Sequence, residues 1–160
     1  FAELGEYLSG RYELKDAKNK HFTVLFELKS PASPRALKVE IRKELKKLKT
    51  ESSIAYSAHS NTQVLLNTPT LGEMMRAKVE AFLDRREIRD IYDIEFMFKR
   101  GVKIEADAAS LNKLLKGIKN FSSTDYSVKL GSLLDPDKRR YYRESNFKIL
   151  KNHLTSLLPA

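Results

Sequence analysis

The sequence predicts an α+β fold, a small mainly antiparallel or mixed sheet followed by a C-terminal helical bundle. Three observations carry this. Apolar and polar residues alternate through Leu37-Lys38-Val39-Glu40-Ile41, a helix-start signal stands at Thr70-Leu71-Gly72-Glu73, and apolar residues recur at spacings of three and four from there to the end. The change of period falls near Pro69 and divides the chain into a sheet domain, 1–68, and a helical domain, 69–160. A chain of 160 residues is long enough to bury a core without disulfides or structural metals.

Taken in order, Phe1, Leu4 and Leu8 predict a short amphipathic helix closed by Ser9-Gly10. Tyr12 to Leu14 and Phe22 to Leu28 read as a hairpin around the polar turn Lys15 to Lys20, and Ser30 to Pro34 reads as a loop. Leu37, Val39 and Ile41 then form one face of a third strand, with Lys38, Glu40 and Arg42 on the other. From Arg42 to Lys49 the stripe Ile41, Leu45 and Leu48 has helical spacing. Glu51 to Asn61 shows no period, and Gln63 to Leu66 predicts a fourth strand ending at Asn67-Thr68-Pro69.

Thr70 to Glu73 has the spacing of a reciprocal capping box. Leu71, Met74, Met75, Ala77, Ala81, Phe82 and Leu83, and then Ile88, Ile91, Ile94, Met97 and Phe98, predict two helices or one broken helix. Leu111, Leu114, Leu115 and Ile118 predict another, and Phe147, Leu150, Leu154 and Leu158 a last one.

Composition narrows the function. The chain has no cysteine, which excludes disulfides, thiol catalysis and cysteine-based zinc sites, and no apolar run approaches the roughly 18 residues of a membrane helix. A cytoplasmic protein without a membrane partner is expected. Thirty Lys and Arg against 21 Asp and Glu give a net charge of +9, which favours polyanionic partners through counterion release. His21, His59 and His153 are scattered, with no HExxH pair and no Ser/His/Asp order, and neither GxGxxG nor GxxxxGK[ST] occurs. Phosphate chemistry would therefore need carboxylate-bound metal.

Three constellations remain. Glu40 sits at the centre of a strand, where a carboxylate can hold Mg²⁺ or can be an exposed acid neutralised by Lys38 and Arg42. In the stretch from Lys78 to Asp93, helical spacing brings Lys78 near Arg85 and places Arg86, Asp90 and Asp93 on a common face. The alternative there is surface ion pairs, Arg86 with Asp90 and Arg89 with Asp93. The basic sweep from Arg35 to Lys49, with Lys43, Lys46, Lys47 and Lys49 at its end, suits RNA phosphates or a solvated helix face. Lys138 to Arg143 adds basic residues beside Tyr141 and Tyr142, which could stack on bases or pack in the core.

Pro69-Thr70-Leu71-Gly72-Glu73-Met74-Met75-Arg76-Ala77-Lys78, continuing to Arg85 and followed by Arg89-Asp90-Ile91-Tyr92-Asp93-Ile94, resembles the AbiEii/AbiGii-type nucleotidyltransferase toxins of the polymerase-β-like superfamily. In that family a strand acid precedes a T-x-E-E-M-x-x-x-K helix and an R-D-L-Y-D-L helix, an order matched here from about Leu37 to Phe98. The Gly-Ser or Gly-Thr turn and the Asp-x-Asp pair that precede the third acid in the superfamily do not occur ahead of Glu40, and the first residue is Phe. The resemblance thus implies the C-terminal portion of such an enzyme, with activity expected of the parent polypeptide.

It further implies transfer of a nucleoside monophosphate from an NTP to tRNA or another RNA, or alternatively to a protein, with Mg²⁺ as cofactor and a cognate antitoxin as partner. Glu40 would be the metal acid, Lys78 the cation facing the nucleotide phosphates, Asp90 and Asp93 the acids of the helical motif, and Arg85 and Arg89 supporting nucleotide contacts. Asp90 could serve as base or orient Lys78. An open sheet edge left by the missing strands predicts self-association, as a homodimer or as aggregates. The rival reading is a non-catalytic basic module that binds RNA or protein through Lys43 to Lys49.

Overall fold

Leu4 and Leu8 lie on one side of helix α1 (Ala2–Ser9), and that side packs on a three-stranded antiparallel sheet in the order β1-β2-β3. The strands are β1 (Glu13–Asn19), β2 (Thr23–Ser30) and β3 (Ser33–Arg42). The computed structural model describes residues 1–44, 47–56 and 60–159 and falls into two units, a sheet unit Phe1–Lys47 and a helical unit Leu48–Ala160.

In the sheet unit Phe26 pairs with Ala17 on one side and Val39 on the other, so Val24, Phe26, Leu28 and Val39 share the face that meets α1. Phe1 stacks on the Phe26 ring with centroids 5.2 Å apart. Two boundaries differ from the sequence reading. β1 runs on through Asp16 and Lys18, because a sheet covered on one face accepts charge on the other. β3 begins at Ser33 and includes Pro34, which an edge strand tolerates because its unpaired side needs no N–H.

The helical stripe expected from Arg42 to Lys49 does not form in the described residues. Arg42 ends β3, Lys43 extends the ladder by donating its N–H to Phe22 O at 3.0 Å, and Lys47 to Lys49 carry no helix. Leu45 and Lys46 lie outside the described residues. Lysines three and four apart repel along a helix, and so short a segment gains too little to nucleate one.

The helical unit opens with an antiparallel hairpin of β4 (Thr50–Ala55) and β5 (Val64–Pro69), paired from Thr50 with Pro69 to Ala55 with Val64. Helix α2 (Leu71–Arg85) follows, and only half of the expected capping box is made. Thr70 Oγ1 accepts from Glu73 N at 3.3 Å, but the Thr70 amide donates to Lys49 O at 3.0 Å, closing the hairpin, and the Glu73 carboxylate turns to Arg76 at 3.1 Å. α2 ends at Arg86, whose φ of 55° is left-handed and whose N–H caps Phe82 O. Helix α3 (Ile88–Phe98) is therefore a separate helix that runs back along α2, and Gly101, at φ 84°, supplies the turn beyond it.

Helices α4 (Ala108–Lys119), α5 (Pro136–Ser145) and α6 (Lys148–Ser156) complete the unit, with a π-helical turn (Asp125–Leu130) and a 3₁₀ turn (Gly131–Leu133) between α4 and α5. Met75, Val79 and Phe82 of α2 meet Ile91 and Ile94 of α3, Leu114 and Ile118 of α4, and Leu150 and Leu154 of α6 in one core. Leu71 and Met74 face outward, which corrects the expectation of a stripe through them. Tyr142 is core, and its neighbour Tyr141 stays half exposed. No helix among the described residues is long and apolar enough to cross a membrane.

Gly117 of α4 lies against Phe82, and a methyl added there would stand 2.5 Å from the ring's Cζ and 2.7 Å from Cε1. Phe82 is 1% exposed, so its ring has no room to swing away. Gly117→Ala is expected to destabilise the helical unit by about 1–3 kcal/mol, although alanine is the better helix former. Gly72→Ala, with nothing within 4 Å of the added carbon, is expected to stabilise it by up to about 1 kcal/mol. Urea midpoints moving in opposite directions would bear this out, and a rise in both would show that the Phe82 ring yields.

Candidate active site

Two turns of α2 separate Lys78 from Arg85, which puts them on one face, and the three-residue spacing of Asp90 and Asp93 does the same on α3. The left-handed residue at Arg86 turns the chain so that these two faces meet. Arg85 grips Asp90 with two parallel bonds, Nε to Oδ2 at 2.8 Å and Nη2 to Oδ1 at 2.6 Å. Lys78 Nζ bridges the two acids, 3.4 Å from Asp90 Oδ1 and 2.5 Å from Asp93 Oδ2.

The four side chains differ in exposure, and this separates their chemistry. Asp90 is 0% exposed and both of its oxygens are engaged, so it has no free lone pair directed at solvent with which to take a proton from a substrate. Its burial is compensated by a bidentate guanidinium, by Lys78 and by its place in the first turn of α3, where the helix dipole favours an anion. Asp93 is 39% exposed and can be reached from solvent. Lys78 is one-third exposed: burial pulls its amine down, but the hydrogen bond and charge of Asp93, with Asp90 behind, outweigh this and hold it above the ordinary lysine range. Among the described residues no third acceptor meets the ammonium, which leaves one of its three donors for a ligand oxygen.

The ion pairs considered from sequence, Arg86 with Asp90 and Arg89 with Asp93, do not form, because the break at Arg86 removes the first helical spacing. Arg89 turns away and donates from Nε to Lys129 O at 2.8 Å and from Nη2 to Ser132 Oγ at 3.4 Å. It holds the π-helical turn and does not join the cluster.

Glu40 stands in the sheet unit on β3, where its carboxylate is 3.4 Å from Lys38 Nζ and about half exposed. Lys43 and Lys47 are exposed residues of the same unit, Lys49 is exposed ahead of β4 in the helical unit, and Lys46 lies outside the described residues. Mg²⁺ requires near-octahedral oxygen ligation. Glu40 offers one ion-paired carboxylate, and among the described residues no three His, Asp or Glu side chains converge on a point that could hold a metal. The described residues do not by themselves make up a complete Mg²⁺ site.

One buried charge escaped the sequence reading. Glu95 of α3 is 0% exposed, with Oε2 2.9 Å from Lys99 Nζ and Oε1 accepting from Leu150 N at 3.3 Å. Leu150 N is one of the first-turn donors of α6, which has no side-chain cap of its own, so Glu95 caps α6 from another helix. The Glu95/Lys99 spacing of four was its one sequence signal.

The family model described as "Nucleotidyl transferase AbiEii toxin, Type IV TA system" matches residues 6–155. No curated protein and no solved structure matches the chain. The match spans the strand that carries Glu40, both helices that build the Lys78–Asp90 cluster and the helices that pack behind them. The chain belongs to the AbiEii family of nucleotidyltransferase toxins of type IV toxin–antitoxin systems.

Proposed function

We propose that the protein acts in transfer of a nucleoside monophosphate from an NTP to an RNA hydroxyl, with tRNA as the acceptor. The observation that carries this reading is the Lys78 ammonium, held protonated between Asp90 and Asp93 with a donor to spare. In the reaction the acceptor hydroxyl attacks the α-phosphorus, a new P–O bond forms, the bond to the β-phosphate breaks and pyrophosphate leaves.

Lys78 donates to a phosphate oxygen of the nucleotide. Asp93, the exposed acid beside it, accepts the proton of the attacking hydroxyl. Asp90 and Arg85 are positioning residues, a neutral pair that fixes the ammonium without competing for the nucleotide. Arg89 supports the site indirectly through the π-helical turn. The family implies a divalent metal, for which Glu40 would be one carboxylate ligand. Lys43, Lys46, Lys47 and Lys49 contribute phosphate contacts to the acceptor. A cognate antitoxin is the expected protein partner.

Incubation of the full-length protein with α-labelled NTPs, Mg²⁺ and total tRNA tests this, and label in tRNA is the expected result. Glu40→Gln changes an exposed residue and should leave stability within about 0.5 kcal/mol of the parent while lowering transfer at least about tenfold. Absence of label with all four NTPs would overturn RNA as the acceptor, and undiminished transfer by the variant would remove Glu40 from the reaction.

A further inference from the structure

Beside the α2–α3 corner, on the helical unit, lies a cavity of about 450 Å³ with an unusual charge balance. Arg86, Lys113, Lys116 and Lys129 line it, and Asp125 is the one acid among its lining residues. Lys129 is committed, at 3.0 Å to Asp125 and 3.5 Å to Glu87. Arg86, Lys113 and Lys116 meet no carboxylate within 4.0 Å among the described residues.

Lys113 and Lys116 stand three apart on α4, where like charges repel by a few tenths of a kcal/mol. The C-terminal dipoles of α2 and α4 soften this, but half a charge at each end, even with Asp125 and Glu87, does not balance four cations. Arg86 is the more telling residue. Its φ of 55° is a position where glycine is the least costly choice, yet a long cation stands there and lines the cavity. The same turn sends Arg85 to Asp90, so adjacent arginines serve two different places.

We propose that this cavity is a second phosphate site, which holds the backbone of the acceptor RNA strand apart from the Lys78 cluster. Separate point charges from two helices and a turn suit successive phosphodiesters and read no sequence. Phe121 also lines the cavity, but its ring packs edge-on to Phe82 and Tyr126, so the contact is to backbone rather than to a stacked base. The identity of the strand as acceptor rests on the function proposed above; the existence of the site does not.

The test is fluorescence anisotropy of a labelled single-stranded RNA of about 12 nucleotides titrated with the full-length protein between about 50 and 200 mM salt. The double variant Lys113→Gln/Lys116→Gln should lose about tenfold in affinity and flatten the log–log salt slope by about 1.4, two phosphates at about 0.7 each. Arg86→Gly keeps the left-handed cap, so it should weaken binding about threefold with an unchanged or higher thermal midpoint.

Affinity and salt slope within about twofold of the parent in both variants would overturn the proposal, as would stoichiometric displacement of the RNA by ATP, which would mark a mononucleotide site. Charge-dependent binding in a protein that transfers no label would overturn the transfer reading and leave this site standing. Transfer with binding insensitive to these residues would do the reverse.

Discussion

Arg85→Met is expected to cost the helical unit about 2–3 kcal/mol, the largest stability loss from any single residue of the cluster. The reason lies in Asp90, which is fully buried and would keep only Lys78 at 3.4 Å after the guanidinium is gone. Breaking a buried pair by removing one partner typically costs about 3–5 kcal/mol, because the remaining charge is uncompensated. The lower figure here reflects Arg85 itself, whose side chain is 56% exposed, so water can follow it out and solvate part of the carboxylate. Removing both partners should cost less than removing one. R85M/D90A is expected to recover at least half of the loss, with Lys78 still paired to Asp93. Urea unfolding of the parent and the two variants measures this. A single-variant loss below about 0.5 kcal/mol would mean that Lys78 alone compensates Asp90.

The same cluster shows where sequence reasoning reached and where it stopped. Lys78, Arg85, Asp90 and Asp93 were all singled out from spacing and resemblance, because their positions repeat along two helices whose periods are strong. Their partners were not legible. Pairing Arg86 with Asp90 assumes an unbroken helix, and the left-handed turn at Arg86 shifts the contact by one residue to Arg85. β4 was unreadable because Thr50-Glu51-Ser52-Ser53 has no apolar face, and its pairing to β5 is carried by backbone bonds to which side chains contribute little. α5 was missed for a related reason: among Lys138 to Arg143 only Tyr142 is buried, too few points for a period, although Asp135 and Pro136 are a sound helix start. The run after Ile41 failed in the other direction, since three apolar residues matched a helical stripe that mutual lysine repulsion opposes. Local rules held where many residues voted, and gave way where one turn or one long-range contact decided.

Lys78→Met is expected to lower kcat/KM for the nucleotide by about 10²–10³-fold while costing the fold less than about 1 kcal/mol. Methionine keeps the apolar stem of lysine, Arg85 continues to hold both oxygens of Asp90, and Asp93 is exposed enough to be hydrated once its partner is lost. The chemical loss is larger than the structural one for two reasons. The donor proposed to meet the phosphate disappears, and the cluster passes from neutral to a net negative charge, which would repel a triphosphate. KM should therefore rise along with the fall in kcat, and the rise should shrink in high salt as the repulsion is screened. Lys78→Arg restores the charge with a wider, planar head and should return activity to within about tenfold of the parent. The pH profile gives a further check. Because its acid neighbours hold Lys78 above the ordinary lysine range, the cation is present below that range and is lost as pH rises beyond it, so Lys78 imposes no alkaline limb on transfer between about pH 7 and 9. An alkaline limb in that interval that vanishes in Lys78→Arg would show the amine titrating and overturn its assignment as a permanent cation. Unchanged kcat/KM in Lys78→Met would remove it from the site altogether.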